Sequence, residues 1–435
     1  MPANRRALPA ALAACAALGA LALTPAPCIA GPGLSPAVRR SVFDSIWTKI
    51  RDKYFDAKMN GVDWNAVRLR YRPKLAGLKD DAAFYGLLQQ MVGELKQSHF
   101  GVIPPDEYLA EDERAGAHHV GVTGITARLI EGLPLVSAVE PGSAAAEAGV
   151  KPGWEVVEIA GKPVKPIIDA VMARRKLTET GRRLQVRMAL GARLTAPVGT
   201  SGSITFRTSD GETRTVQVER RRPSGEPVRF GELPAMYTRF ETRRLASGVA
   251  YVGFNVFMMP VLEPFRKAVA EAAGAPGLII DLRGNPGGIG GMASAAGSSL
   301  TKVQKSLGTM RMRAGAINFV MFPREDAYTG PVAILTDELS ASTSEVMAGG
   351  LQDLKRARTV GGRTAGMVLP SMVERLPGGI RLQYAVADFR TPNGVLLEGR
   401  GVQPDVPVIE TRTDLAAGRD PVLEAAEAAL LRSAK

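Results

Sequence analysis

The stretch Pro331 to Asp353, PVAILTDELSASTSEVMAGGLQD, decides how this 435-residue chain is read. Pro331 to Leu335 is a short apolar run suited to a buried strand. Small residues follow, then a run of Val, Met, Ala, Gly and Leu with the character of a helix. A serine at such a strand-to-helix junction points its hydroxyl away from the sheet edge. The free N–H groups of the first helical turn can hold an anion beside it. Acyl transfer needs this arrangement, because a tetrahedral oxyanion must meet donors that are already aimed. Ser342-x-x-Glu345 is also a capping box, which any helix start can use. The stretch alone leaves both readings open.

Outward from it, residues 235–412 alternate strand and helix. Gly248 to Phe254 reads as a strand, Pro260 to Ala273 as a helix, and Gly277 to Leu282 as a buried strand running into Arg283-Gly-Asn-Pro-Gly-Gly288. A helix near Met292 to Ser299, strands around Ile380 to Asp388 and a hairpin at Pro392-Asn393-Gly394 complete the segment. The pattern predicts an α/β layer architecture with a mainly parallel sheet. Residues 413–435 follow as a C-terminal segment with an Ala/Leu helix over 421–433. Toward the other end, residues 37–115 read as a helical region. Phe43, Ile46, Trp47, Ile50 and Tyr54 share one face of a helix over 37–58, and Phe84, Leu87, Leu88, Met91 and Leu95 form the stripe of a second from Asp81 to Lys96. Pro104-Pro105, Asp112 to Arg114 and His118-His119 look like linker.

Residues 1–30 have the pattern of a secretory signal peptide: Arg5 and Arg6, an Ala/Leu-rich run from Ala7 to Leu23, and small residues before a cut after Ala30 or Ala26. Both cysteines, Cys15 and Cys28, lie in this leader or at its edge, so after a cut at Ala30 the mature protein would have no disulfide or thiol chemistry. No later apolar run approaches the ~18 residues of a membrane span. An exported, periplasmic or secreted protein is expected. The formal charge of +12 reads first as a solvated basic face with no partner; it would also be compatible with an anionic cell surface or acidic substrates, while export argues against nucleic acid as a partner.

From about Val120 the sequence turns to short strands and glycine turns. Gly121 to Ile125, Pro141-Gly-Ser143 before a short Ala-rich helix, Gly149, Lys151-Pro-Gly153 and Gly161 resemble, in that order, a PDZ domain over residues 118–222. Trp154 stands where that family usually has Asp. The resemblance implies binding of polypeptide C-termini, with Val122, Thr123, Gly124 and Ile125 offering N–H groups to the terminal carboxylate. The helix near Ile167 to Arg175 would be the groove's other wall. Residues 203–220 read as a hairpin about Asp210-Gly211, while residues 178–202 read as an insertion of no assigned place.

Three motifs, LIIDLRGNPGG (278–288), LSASTSE (339–345) and EGRGVQPD (398–405), in this order resemble the core of the C-terminal processing (tail-specific) serine peptidases and their tricorn relatives. The resemblance implies a ClpP/crotonase-like peptidase core with an inserted PDZ domain and a helical N-terminal region. It makes Ser342 the nucleophile and assigns the oxyanion donors to Thr343 and to Gly287 or Gly288. Tail-specific peptidases place their dyad lysine 25 residues after the serine, where this sequence has Met367 in Thr364-Ala365-Gly366-Met367. A thioether cannot take a proton from serine. Lys355 is expected mid-helix on a solvated face, and Asp281 and Arg283 as strand-end structure. The tricorn-like branch uses Ser, His, a second Ser and Glu. Carried over by position, that implies His99 as general base and acid, oriented by Ser98 and Glu398.

The resulting expectation is an exported serine endopeptidase that needs no cofactor or metal. It would recognise protein or peptide C-termini and cleave through an acyl-enzyme. Met367 favours a rival reading, a catalytically inactive peptide-binding or scaffold homologue. A carrier of lipophilic ligands on the same core is the third.

Overall fold

A computed structural model describes residues 33–105, 120–229, 231–232 and 235–433. The leader 1–30, the charged run 112–114 and His118-His119 lie outside the described residues. No helix among the described residues is long and apolar enough to cross a membrane.

The C-terminal half is built on a six-stranded sheet. Its strands, in spatial order, are Phe240–Arg244, Ala250–Phe254, Leu278–Asp281, Val332–Thr336, Arg358–Gly361 and Val406–Pro407. Only the first pairing is antiparallel. Alternation within the buried strands supplies two faces. Val252, Ile280 and Ile334 point into one apolar core with the helices Met259–Glu271, Gly291–Gly297 and Thr343–Asp353. Tyr251, Ile279, Ala333 and Leu335 point into the other, covered by the helix Pro421–Ser433. Helices on both faces are the condition under which a parallel sheet reads as continuous apolar runs.

The N-terminal helices form where expected and stop earlier. Pro36–Lys53 starts on a Ser35 cap. It ends before 58 because the Asp56 carboxylate accepts the N–H groups of Lys58 and Asn60, which turns the backbone. Asp81–Gly93 starts on Asp80 and ends before Lys96, which adopts a left-handed backbone, φ 53°. The strands expected around Ile380 to Asp388 lie outside the parallel sheet. Arg381–Ala385 pairs with Ser371–Arg375 on one side and with Gly101–Ile103 on the other. Leu369, Leu376, Ile380, Leu382 and Tyr384 thereby complete the apolar core of the N-terminal helices. The first and last thirds of the protein share one core.

Between them, strands Ile125–Ile130, Leu133–Val139, Glu155–Ile159, Ser201–Arg207 and Thr213–Glu219 form a second sheet, with 125–130 at its edge. The hairpin about Gly211 is present. The segment left without a place forms the helix Glu179–Leu194, capped by Thr178, and it is this helix that packs along 125–130. The helix expected to fill that role is Lys165–Met172 and lies behind it. The reason is apolar spacing: Val186, Leu190 and Leu194, four residues apart, enter the core of this unit.

Candidate active site

The buried strand Val332–Thr336 leads into a turn, and Ser342 opens the helix Thr343–Asp353. Its φ of 53° and ψ of −117° are strained for a residue with a side chain, and Ser342 is nearly buried. Ser342 N–H donates to Met367 O at 2.8 Å and to Glu345 Oε2 at 3.2 Å, the Glu345 half of the capping box. Among the neighbouring serines, Ser340 Oγ donates to Leu282 O at 2.7 Å and Ser344 Oγ to Asn285 O at 2.8 Å. The Ser342 hydroxyl donates to no backbone carbonyl among the described residues.

The glycine turn lies against this serine. A Cβ on Gly287 would sit 2.8 Å from both Ser342 Cβ and Thr343 N, so only glycine allows the approach. Gly287 N–H is taken by Asn285 Oδ1 at 2.9 Å. Of the expected oxyanion donors, the N–H groups of Gly288 and Thr343 are the ones without a partner among the described residues. Thr343 Oγ1 donates to Gly288 O at 2.9 Å and ties the two segments together. Asn285, fully buried, also donates from Nδ2 to Phe254 O at 2.9 Å. The sequence reading gave Asn285 no part in this turn.

Ser98, His99 and Glu398 meet although Ser98 and Glu398 are 300 residues apart in sequence. Glu398 accepts Ser98 N–H at 2.8 Å, Ser98 Oγ–H at 2.9 Å and Val368 N–H at 3.0 Å. Ser98 Oγ lies 2.7 Å from His99 Nδ1. A hydroxyl has one proton, so a Ser98 that donates to Glu398 must accept from Nδ1–H. That tautomer leaves a lone pair on Nε2. Burial lowers the His99 pKa to about 4 and raises that of Glu398. No hydrogen bond joins the Ser342 hydroxyl to His99. The link between them runs through residues 367 and 368, one bonded to Ser342 and the next to Glu398.

Met367 is half-buried and contributes its backbone to this link. Lys355 is exposed, but the helix ends at Asp353, so Lys355 sits in a left-handed turn instead of mid-helix. Arg283 pairs with Asp281 and Asp420, as strand-end structure would.

The segment 122–125 runs into the edge strand. Val122 N–H is taken by Arg221 O at 2.8 Å, and Ile125 N–H lies 3.3 Å from Thr123 Oγ1. The N–H groups of Thr123 and Gly124 have no partner among the described residues. Two arginines, one from the edge strand 125–130 and one from the helix packed along it, reach the loop before Ser342. Arg128 of the edge strand forks onto Glu338 at 2.8 and 2.9 Å and also binds Glu410. Arg187 of the helix 179–194 binds Asp337 at 2.6 Å. Asp337 Oδ1 accepts the N–H groups of Gly284, Leu339 and Ser340. Burial alone would raise the pKa of both carboxyls, and the two guanidinium groups overcome it and hold them below the usual range. The sequence reading missed this cluster, although the paired acids Asp337-Glu338 beside the serine were a visible signal.

Residues 248–408 match peptidase family S41, and residues 35–93 match the tricorn protease C1 domain. The carboxyl-terminal-processing peptidase 3, chloroplastic, of Arabidopsis thaliana is 27% identical over 376 residues, which cover 85% of this chain and 68% of that protein. Tricorn protease homolog 1 of Streptomyces coelicolor is 26% identical over 404 residues, 90% of this chain and 35% of that one. The chain thus spans about a third of the length of its tricorn-type relatives. A solved photosystem II D1 C-terminal processing protease shares the fold at a TM-score of 0.60 and 23% identity, covering 90% of this chain and 97% of that one. Residues 248–408 thus carry a likeness to peptidase family S41, and the proteins similar to this chain along most of its length are carboxyl-terminal-processing and tricorn-type peptidases.

Proposed function

We propose that this chain is an exported serine endopeptidase that cleaves proteins through an acyl-enzyme on Ser342. The single observation that carries the reading is the Ser98–His99–Glu398 relay. It leaves Nε2 unprotonated in a buried histidine that is linked to the strained serine through the backbone of residues 367 and 368. In the proposed step, Nε2 takes the Ser342 proton as Oγ attacks a substrate carbonyl. The oxyanion is held by the N–H groups of Gly288 and Thr343. The resulting imidazolium of His99, stabilised through Ser98 by Glu398, then gives its proton to the leaving amine. Water reverses the sequence to free the acid.

Residues 118–222 are read as a PDZ domain that presents polypeptide ends. Support comes from the unpaired edge of strand 125–130, the free N–H groups of Thr123 and Gly124, and the helix 179–194 alongside. A peptide with a free C-terminus should bind in fluorescence anisotropy, and its C-terminal amide should not. Equal binding of both would remove the carboxylate reading.

The rival reading, an inactive peptide-binding homologue, is favoured by the missing Ser342–His99 hydrogen bond and by Met367. Labelling with a fluorophosphonate, located by mass spectrometry, separates the two. An adduct on Ser342 that disappears in His99→Ala supports the peptidase. Folded protein without adduct, with or without a bound peptide, supports the binding protein.

A further inference from the structure

Glu345 lies three residues after Ser342 and is completely buried. The proposed chemistry gives it no role, yet its carboxylate makes four contacts. Oε2 accepts Met367 N–H at 2.8 Å and Ser342 N–H at 3.2 Å; Oε1 accepts Gly366 N–H at 2.8 Å and Thr364 Oγ1–H at 2.5 Å. The Thr364 hydroxyl itself accepts Val402 N–H at 2.6 Å, so its own proton is free to point at Glu345. Every group around the carboxyl is therefore a donor. An ionised carboxylate, which only accepts, satisfies them all. A protonated one turns a donor onto donors.

The segment 364–368 that Glu345 grips, which joins the strands Arg358–Gly361 and Ser371–Arg375, also carries the other half of the site. Glu345 holds residues 366 and 367, and Glu398 holds the next residue, Val368, while it binds Ser98 beside His99. Two carboxylates thus fasten adjacent residues of one irregular segment, one on behalf of the nucleophile and one on behalf of the base. Met367, at the position of the dyad lysine in the related branch, takes part through its backbone: its N–H goes to Glu345, and its carbonyl receives Ser342 N–H.

We infer that Glu345, as a carboxylate, is a positioning residue that fixes the strained backbone of Ser342 and its separation from His99. The inference rests on Ser342 being the nucleophile. Burial pushes the Glu345 pKa up to about 7, and Glu398, the charged group that acts on it, pushes the same way. Its charge is present above that pH and lost below. His99, lowered by burial to about 4, stays neutral through the same interval. Serine reactivity should therefore rise with pH about a midpoint set by Glu345, not by the histidine.

The test is the second-order rate of fluorophosphonate addition to Ser342, located by mass spectrometry, from about pH 5 to pH 9. Wild type should show a midpoint near 7. Glu345→Gln keeps the shape but aims an NH₂ at donors. It should lose about 10²-fold in rate at alkaline pH, as expected for a misplaced reactive group, and lose the midpoint. Thr364→Val removes one donor from the carboxylate and should move the midpoint upward while the protein stays folded. Wild-type rates and midpoint in Glu345→Gln would overturn the role. Should that variant not fold, an unmoved midpoint in Thr364→Val would overturn it instead. A wild type without any Ser342 adduct fails the nucleophile reading, and the role of Glu345 with it.

Discussion

His99 has to accept a proton where its surroundings disfavour charge. Its pKa falls from 6.5 to about 4 through burial alone, and the proton on Nδ1 is fixed by a serine whose own proton belongs to Glu398. Ser98→Ala removes the acceptor of Nδ1–H. Turnover should fall by about 10²-fold or more, because the useful tautomer is no longer selected. Single-turnover labelling of Ser342 would measure it. The buried neutral imidazole also bears on stability. Its folded pKa lies below the unfolded one, so its contribution is full above pH 6.5 and is lost as pH falls through about 4. A shift of this size corresponds to about 3 kcal/mol. Urea unfolding at pH 7 and pH 4 should show wild type losing more stability than His99→Gln, by up to that amount. Equal losses would mean the ring is not desolvated. Sequence motifs alone named Ser98, His99, Ser342 and Glu398. They did not give the engagement of Gly287 N–H or the four donors around Glu345, because hydrogen-bond partners distant in sequence leave no spacing signal.

The strands of the parallel sheet were legible because burial on both faces makes them continuous apolar runs. The helix 179–194 was not. Its apolar positions Val186, Leu190 and Leu194 are interleaved with Arg183, Arg187 and Arg193, and Gly181 and Gly191 interrupt the pattern. Thr178 with Glu179 was the available start signal. The cations of this helix and of the edge strand have a structural use. Arg128 and Arg187 neutralise the buried pair Glu338 and Asp337 in the loop before Ser342. Removing one partner of a buried pair leaves the other uncompensated. Arg128→Met should therefore destabilise the protein by about 3 kcal/mol. Urea unfolding, with limited proteolysis across residues 223–235, would read both the loss and any loosening of the unit 120–222. No change in either would show that Arg187 alone compensates the pair.

At the scale of the whole molecule, the sequence conveyed the order of parts but not that they interlock. The pairing of Gly101–Ile103 with Arg381–Ala385 joins strands roughly 280 residues apart, a relation no local pattern encodes. The same pairing brings the end of the N-terminal helical region, and so His99, to the serine-bearing half. A fragment of residues 235–433 would expose Leu369, Leu382 and Tyr384, which the N-terminal helices cover. Expressed alone it should aggregate, and no soluble fraction of it should label at Ser342. A soluble, labelled fragment would refute both the shared core and the need for His99.

The separation of Ser98 from Glu398 also sets a clock. At about 5–20 residues per second of synthesis, roughly 15 to 60 s pass between the moment His99 is made and the moment its carboxylate exists. Throughout that interval the growing polypeptide holds a histidine with no oriented tautomer and, for most of it, no serine. On the proposed mechanism a nascent or half-made copy cannot cut its neighbours, and the protein is kept harmless during manufacture by the spacing of its own parts.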